Sequence, residues 1–326
     1  MIYFYLIVLI LSFAILFKCA GWFVEGASRI ARVMNVSKMM VGIVLVGLAT
    51  TAPEFFVSVQ AAYLGHSEIA LGNAVGSVIC DDGIAIALAA LLAPAAIMIN
   101  CRMLKFVGLF LISIDILAYL LAKNGTIGRV EGLVFVLILG VYYFFIIRGQ
   151  RSRFFNKKKG NNNLKNNSLS SSLRKDQLKK PLFLFIGGIA GIIITSHLVI
   201  RAAIYIARYF DISETIIGLT LVAIGTSLPE ISICITAALK GEGEIAVGNI
   251  IGADILNILW IIGVASIVNP IKVEVEVINF AFPYMILVVA TMLVAMRIGC
   301  RLGKAKGLLL FALYLIYIFL TLKLFF

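Results

Sequence analysis

Apolar residues run in long stretches along this chain, with little charge in 2–17, 104–122, 131–147, 275–296 and 307–322. Each stretch approaches the ~20 residues that a helix needs to cross a bilayer core. Strands of a membrane barrel would alternate apolar and polar positions, and these unbroken runs do not. Gly, Pro and charge divide the chain into ten apolar segments: about 2–33, 38–64, 68–93, 104–122, 128–148, 181–209, 214–239, 244–268, 275–296 and 303–325. The pattern predicts an all-α polytopic membrane protein of ten transmembrane helices.

Composition agrees. Of 326 residues, 62% are hydrophobic and 13% charged, against roughly half and about a quarter in soluble domains. The net charge of +12 raises the question of a nucleic-acid partner, but the basic residues form no binding face. Eleven of the 28 Lys and Arg lie between Arg148 and Lys180, in a polar, low-complexity stretch after the fifth segment. That composition reads as a flexible linker, and its basic excess places it in the cytoplasm. The chain then divides into a first five-helix unit (1–150), a basic linker (151–180) and a second five-helix unit (181–326). Both termini fall outside. Twenty-one Lys and Arg face inward, against six outside: Lys123, Arg129, Arg201, Arg208, Lys272 and Lys323. The first apolar run lacks a basic leader and reads as a retained helix. The expected setting is the plasma membrane, with the lipid bilayer as partner and no nucleic acid or obligate protein partner. Cys19, Cys80, Cys101, Cys234 and Cys300 stand singly and only two His occur, which indicates neither a disulfide frame nor a zinc site.

The chain also repeats itself. At a shift of 176 residues, "IARVMNVSKMMVGIVLVGLATTAPE" (30–54) lies over "IARYFDISETIIGLTLVAIGTSLPE" (206–230). In the same register, "GHSEIALGNAVGSVICDDG" (65–83) lies over "GEGEIAVGNIIGADILNIL" (241–259). Two units of five helices each must enter the membrane in opposite orientation. The expectation is therefore two inverted five-helix repeats, the plan of many secondary transporters, with the site near the bilayer midplane between them.

Within the repeat, "ATTAPE" and "GTSLPE" each place a proline where a helix would otherwise continue. Pro53 frees the carbonyl of Ala49, and Pro229 that of Gly225. Broken backbone at membrane depth is tolerated only inside protein or beside a polar cavity. Thr50 and Glu54 are four residues apart, as are Thr226 and Glu230, so each pair shares a helix face. Thr51 and Ser227 lie three residues before the glutamates. A simple proline kink with back-bonded hydroxyls accounts for the prolines but not for a glutamate in both halves. Intramembrane carboxylates usually mark an ion path or proton relay.

The "GN" segments supply more oxygen. Asn73, Ser77 and Asp81 recur every four residues, and Asn249, Ala253 and Asn257 match them in the second half. Asn73, Asn249 and Asn257 read, with Asp81, as candidate cation ligands, and pure interhelical hydrogen bonding is the blander alternative. Gly72, Gly76, Gly248 and Gly252 read as close helix approach. Asp82 points about 100° from Asp81 on a helix, and its role stays open; Asp254 is counted among the candidate cation ligands, with its exact part open. Carboxylates, amides, hydroxyls and freed carbonyls suit a hard cation such as Ca²⁺, or Na⁺, and suit zinc or copper poorly. Protons are a third candidate, because crowded carboxylates resist ionising together.

The paired motifs G-T-S-L-P-E and G-N-x-x-G-S-x-I-x-[ND] resemble those of the cation/calcium exchanger superfamily, in particular prokaryotic sodium/calcium exchangers. The resemblance covers both halves and the basic central loop. It implies alternating access, with 2–33 and 181–209 sliding past a bundle of eight helices. It implies Ca²⁺ and Na⁺ as transported ions, with no cofactor and no enzyme chemistry. Glu54 and Glu230 would be central cation ligands, and Thr50 and Thr226 would contribute backbone and hydroxyl oxygens. The carbonyls of Gly47 and Ala223 would serve flanking sodium sites, and Ser77 would ligate sodium. Asp81 and Asn257 would fill the midplane polar pair. Three departures stand out: Ala253 replaces a serine, Asp81 and Asn257 reverse the archaeal Asn/Asp order, and Asp82 and Asp254 lack acidic mates. The alternative within this class is a Ca²⁺/H⁺ antiporter. An intramembrane aspartyl protease would need two facing aspartates, whereas Asp81 aligns with Asn257 and both glutamates go unexplained. A passive channel fits the same residues, but the inverted repeat argues for alternating access.

Overall fold

The computed structural model describes residues 2–33, 47–158, 171–239, 241 and 243–325. The first half contains α1 (Ile2–Val33), α2 (Gly47–Thr50), α3 (Ala52–Tyr63), α4 (Ser67–Cys80), α5 (Ile86–Leu92), α6 (Cys101–Ala122) and α7 (Arg129–Lys158). The second contains α8 (Ser171–Tyr209), α9 (Glu214–Ile217), α10 (Ala223–Thr226), α11 (Leu228–Leu239), α12 (Gly243–Leu256), α13 (Gly263–Val268), α14 (Phe282–Arg297) and α15 (Lys304–Phe325). Wide π turns at Asp81–Ala85 and Asn257–Ile262 join α4 to α5 and α12 to α13 without ending the helix.

Five described stretches are long and apolar enough to cross a membrane: Ser67–Leu92, Leu104–Ala122, Gly243–Val268, Val277–Cys300 and Lys304–Leu324. A sixth forms if Glu214–Thr226 and Leu228–Leu239, bent by 43°, count as one broken span. The first copy of the repeat lies in part outside the described residues, at 34–46, as do Lys38, Lys240 and the linker's centre, 159–170. At both flanks of the expected linker the chain is helical instead: α7 runs on to Lys158 and α8 begins at Ser171. Pro181 lies within α8, two turns or more from its start.

Two short antiparallel ladders tie the halves together. β1 (Ile97–Met98) pairs with β4 (Arg301–Leu302), and β2 (Thr126–Ile127) pairs with β3 (Ile271–Lys272). β1 precedes α6 and β2 follows it, so the ladders sit at opposite ends of that helix. Its 22 residues, at about 1.5 Å each, match a hydrocarbon core of about 30 Å.

Helices in lipid gain nothing from hiding apolar surface that lipid would cover anyway, so close packing must hold them. α1 lies along α8 in the most extensive helix pair, where Leu9, Leu16, Val199 and Ala203 are buried with Val57 and Ala61 of α3. α4 crosses the π turn Gly218–Val222 through glycines. A Cβ at Gly76 would stand 2.5 Å from the Leu219 carbonyl oxygen, and one at Gly218 would stand 2.7 Å from that of Ile69.

One expectation is corrected. Cys101 and Cys300 are not lone thiols but a disulfide, with Cα atoms 5.5 Å apart and 199 residues between them in sequence. No spacing rule finds this pair, because the β1–β4 ladder brings it together. Cys19, Cys80 and Cys234 remain free and buried.

Candidate functional site

Each Thr-x-x-Pro-Glu motif is a helix that stops and restarts. α2 ends at Thr50, Thr51 leaves the helical region, and Pro53 and Glu54 open α3. α10 ends at Thr226, and Pro229 and Glu230 open α11. Proline fits a helix's first turn, where its missing N–H is no loss. Both glutamates therefore sit at the N-terminus of a half-helix, where the backbone dipole favours negative charge. On the other side of each break, the Gly47 carbonyl accepts from Thr51 N at 2.9 Å, and that of Ala223 from Ser227 N at 3.0 Å. Each carbonyl also accepts from a threonine hydroxyl, Gly47 from Thr50 Oγ1 at 3.2 Å and Ala223 from Thr226 Oγ1 at 3.3 Å.

The halves reach across to one another. Thr226 Oγ1 donates toward Asn73 Oδ1 at 3.0 Å, and Thr50 Oγ1 toward Asn249 Oδ1 at 3.3 Å. Asn73 Nδ2 donates to Ser58 Oγ at 2.9 Å and to the Glu54 carbonyl at 3.3 Å. Asn73 is thus a scaffold residue that fixes Thr226 and the start of α3. In the second half, the position of Ser58 is held by Cys234, and Asn249 Nδ2 has no partner among the described residues.

Around this frame the carboxylates converge. Glu54, Glu230 and Asp81 lie close enough to repel one another. The Thr226 and Ser227 hydroxyls stand beside Glu54, Thr50 beside Glu230, and Ser227 beside Asp81. Yet no described donor is aligned on any of these carboxylate oxygens. The threonines direct their protons to Asn73, Asn249 and main-chain carbonyls instead. Thr51, Ser77 and Ser227 hydroxyls are likewise buried without partners, as is the whole Asn257 amide. The described residues contain no buried Lys, Arg or His. No three acidic, His or Cys side chains among them close on one point tightly enough to hold a metal alone. A cation there would complete its shell from hydroxyl, amide and carbonyl oxygen.

Asp81 and Asn257 occupy matching places, each opening a π turn. Such turns recur at functional sites because the wider ring re-aims side chains and carbonyls.

Asp82 and Asp254, unmatched across the repeat, meet each other. Their carboxyl groups lie close enough to interact, and no described donor is aligned on either. Asp115 of α6 joins them, fully buried and also without a described partner. Sequence reading passed over Asp115 inside the apolar run 104–122. The rule that singles out Asp81, an acid inside a membrane segment, would have found it.

Comparison with known proteins supplies the remaining findings. The family described as "Sodium/calcium exchanger protein" matches residues 4–148 and 180–323. The putative antiporter CaxA of Alkalimonas amylolytica is 32% identical over 317 residues, covering 96% of this chain and 97% of that one. The sodium/calcium exchanger MaX1 of Methanosarcina acetivorans is also 32% identical, covering 96% and 97%. Among solved structures, the sodium-calcium exchanger NCX_Mj soaked with 10 mM Na⁺ and zero Ca²⁺ superposes with a TM-score of 0.67 at 28% identity, covering 98% of this chain and 99% of that one.

Proposed function

The chain belongs to the sodium/calcium exchanger protein family, and from that premise we propose that it exchanges Ca²⁺ for Na⁺ across the plasma membrane by alternating access. The observation that carries the reading is a buried site made almost wholly of acceptors. Glu54, Glu230 and Asp81 converge from both halves, and among the described residues no donor is aligned on them and no buried basic side chain neutralises them. One Ca²⁺ or several Na⁺ would match their charge, and oxygen is the donor both ions prefer. Binding one set or the other, never both, gives exchange. Thr50, Thr226, Thr51, Ser227, Ser77, Asn257 and the Gly47 and Ala223 carbonyls complete the proposed shell. Asn73 and Asn249 act chiefly by holding the threonines.

Ten spans in two inverted repeats, with both termini outside, are part of the proposal. Supporting it, β1 and β3 stand at nearly equivalent places in the two halves, as do β2 and β4, yet β1 pairs with β4 and β2 with β3. Equivalent strands therefore lie at opposite ends of α6, as an axis in the membrane plane requires.

Flux into proteoliposomes tests the function. An imposed Na⁺ gradient is expected to drive Ca²⁺ uptake, and a pH gradient alone is not. Drive by pH alone would move the assignment to Ca²⁺/H⁺ exchange. One observation favours that second reading: Asp82 and Asp254 lie side by side with no described donor aligned on either, a pairing that a proton or cation between them would satisfy.

A further inference from the structure

Cys101 opens α6 in the first half, and Cys300 ends the turn between α14 and β4 in the second. Beside them stand exposed Arg102, Lys105, Arg297, Arg301 and Lys304. On the orientation proposed above, such basic residues mark the cytoplasmic face, and the inference rests on that orientation. Cytoplasmic thiols are kept reduced, and disulfides that do form there are usually catalytic or redox-sensing. Both cysteines are partly exposed, so small thiols can reach them.

We propose that Cys101 and Cys300 are a reversible redox modification site whose oxidised form restrains the start of the site-bearing helix α12 and slows exchange. The disulfide fastens a strap. Beyond the bond, Ile97 pairs with Leu302 and Met98 with Arg301, and Ile99 N donates to the Cys300 carbonyl at 3.0 Å. Arg297 Nη1 donates to the Cys101 carbonyl at 3.2 Å. The strap bears on the site where Ile97 packs on Gly243, at which an added Cβ would stand 3.0 Å from the Ile97 Cβ. Gly243 is the first residue of α12, which carries Asn249 and Asp254 and leads to Asn257. Beside the contact lies a recess of about 460 Å³, lined in part by Pro94, Met98, Ala238 and Glu244. The matching ladder at the other end, β2–β3, has no cysteine near it, so the device acts on one face alone.

Oxidation needs a small disulfide of the glutathione class. One cysteine thiolate attacks it and releases a first small thiol. The second cysteine then attacks the mixed disulfide and releases another. Two electrons leave the cysteine pair, the small disulfide becomes two thiols that take up the two protons, and one Sγ–Sγ bond forms. Reduction runs the same steps backward.

The test uses the full chain in membranes equilibrated across a glutathione series, then denatured and labelled with a maleimide polymer. The chain has five cysteines, of which three are free beside the disulfide. The expected result is a switch from three labels to five at reducing cytosolic ratios. In parallel, Ca²⁺ flux is expected to rise severalfold when an impermeant reductant reaches the basic face. A Cys101→Ala/Cys300→Ala variant should be fast and indifferent to reductant. A count fixed at three or at five throughout, or equal flux in both forms, overturns the proposal. Reductant acting only from the other face overturns the cytoplasmic assignment. Label counting needs no transport, so it still reads the redox pair if the exchanger reading itself fails.

Discussion

Glu54 and Glu230 place their carboxyl groups at half-helix N-termini, where they receive no aligned donor among the described residues. Replacing either with its amide keeps the volume, removes the charge and introduces donors that face a cation. Glu54→Gln or Glu230→Gln should abolish Ca²⁺ uptake into inside-out vesicles, and undiminished uptake in either would remove that residue from the site. Asn73 acts one step out, with Oδ1 on Thr226 and Nδ2 on Ser58. Partners of this kind typically tune metal affinity by roughly 10- to 100-fold. Asn73→Ala should weaken apparent Ca²⁺ affinity within that range while the protein still folds; unchanged affinity would assign Asn73 to packing alone.

At the scale of elements, α4 presses against the π turn Gly218–Val222 at a distance that only a hydrogen side chain allows. Its place matters because the next turns of α4 carry Ser77 and lead into Asp81. Gly76→Ala would put a methyl 2.5 Å from a main-chain oxygen that has no flexible end to move aside. Overpacking of this sort costs typically about 1–3 kcal/mol. Thermal unfolding in detergent should show the loss, together with weaker Ca²⁺ protection because α4 is displaced; an unchanged melting profile would mean the two elements part freely. The broken helices work the other way. Their breaks create the acceptors, so the irregular backbone belongs to the function and is kept inside protein, where lipid does not reach it.

For the whole molecule, a cation that binds the folded site and not the unfolded chain must stabilise the fold. At a hundred times its dissociation constant the gain is about 2.7 kcal/mol. Ca²⁺ should therefore raise the unfolding temperature of the native protein and leave that of Glu230→Gln almost unmoved. Equal shifts in both would point to ion binding elsewhere, for example at the partly exposed acids around His66 and Glu214, whose side chains meet at 2.6 Å on the opposite face from the disulfide.

Apolar run lengths, the Pro-Glu breaks and the 176-residue register could be read from the sequence, because each depends on residues close together in the chain or on two copies of one pattern. Family membership followed from the same motifs, since the paired glutamates and amides are what the site needs. The linker flanks were misjudged: polar composition suggested a flexible chain where α7 and α8 continue. Tertiary structure alone decided the rest. It alone showed that Asp82 meets Asp254 and Asp115, that Thr50 and Thr226 each answer an asparagine from the other half, and that Cys101 reaches Cys300. Those contacts join residues scores of positions apart, and only the packing of helices, through glycine contacts and edge ladders, sets which side chains arrive at the same point.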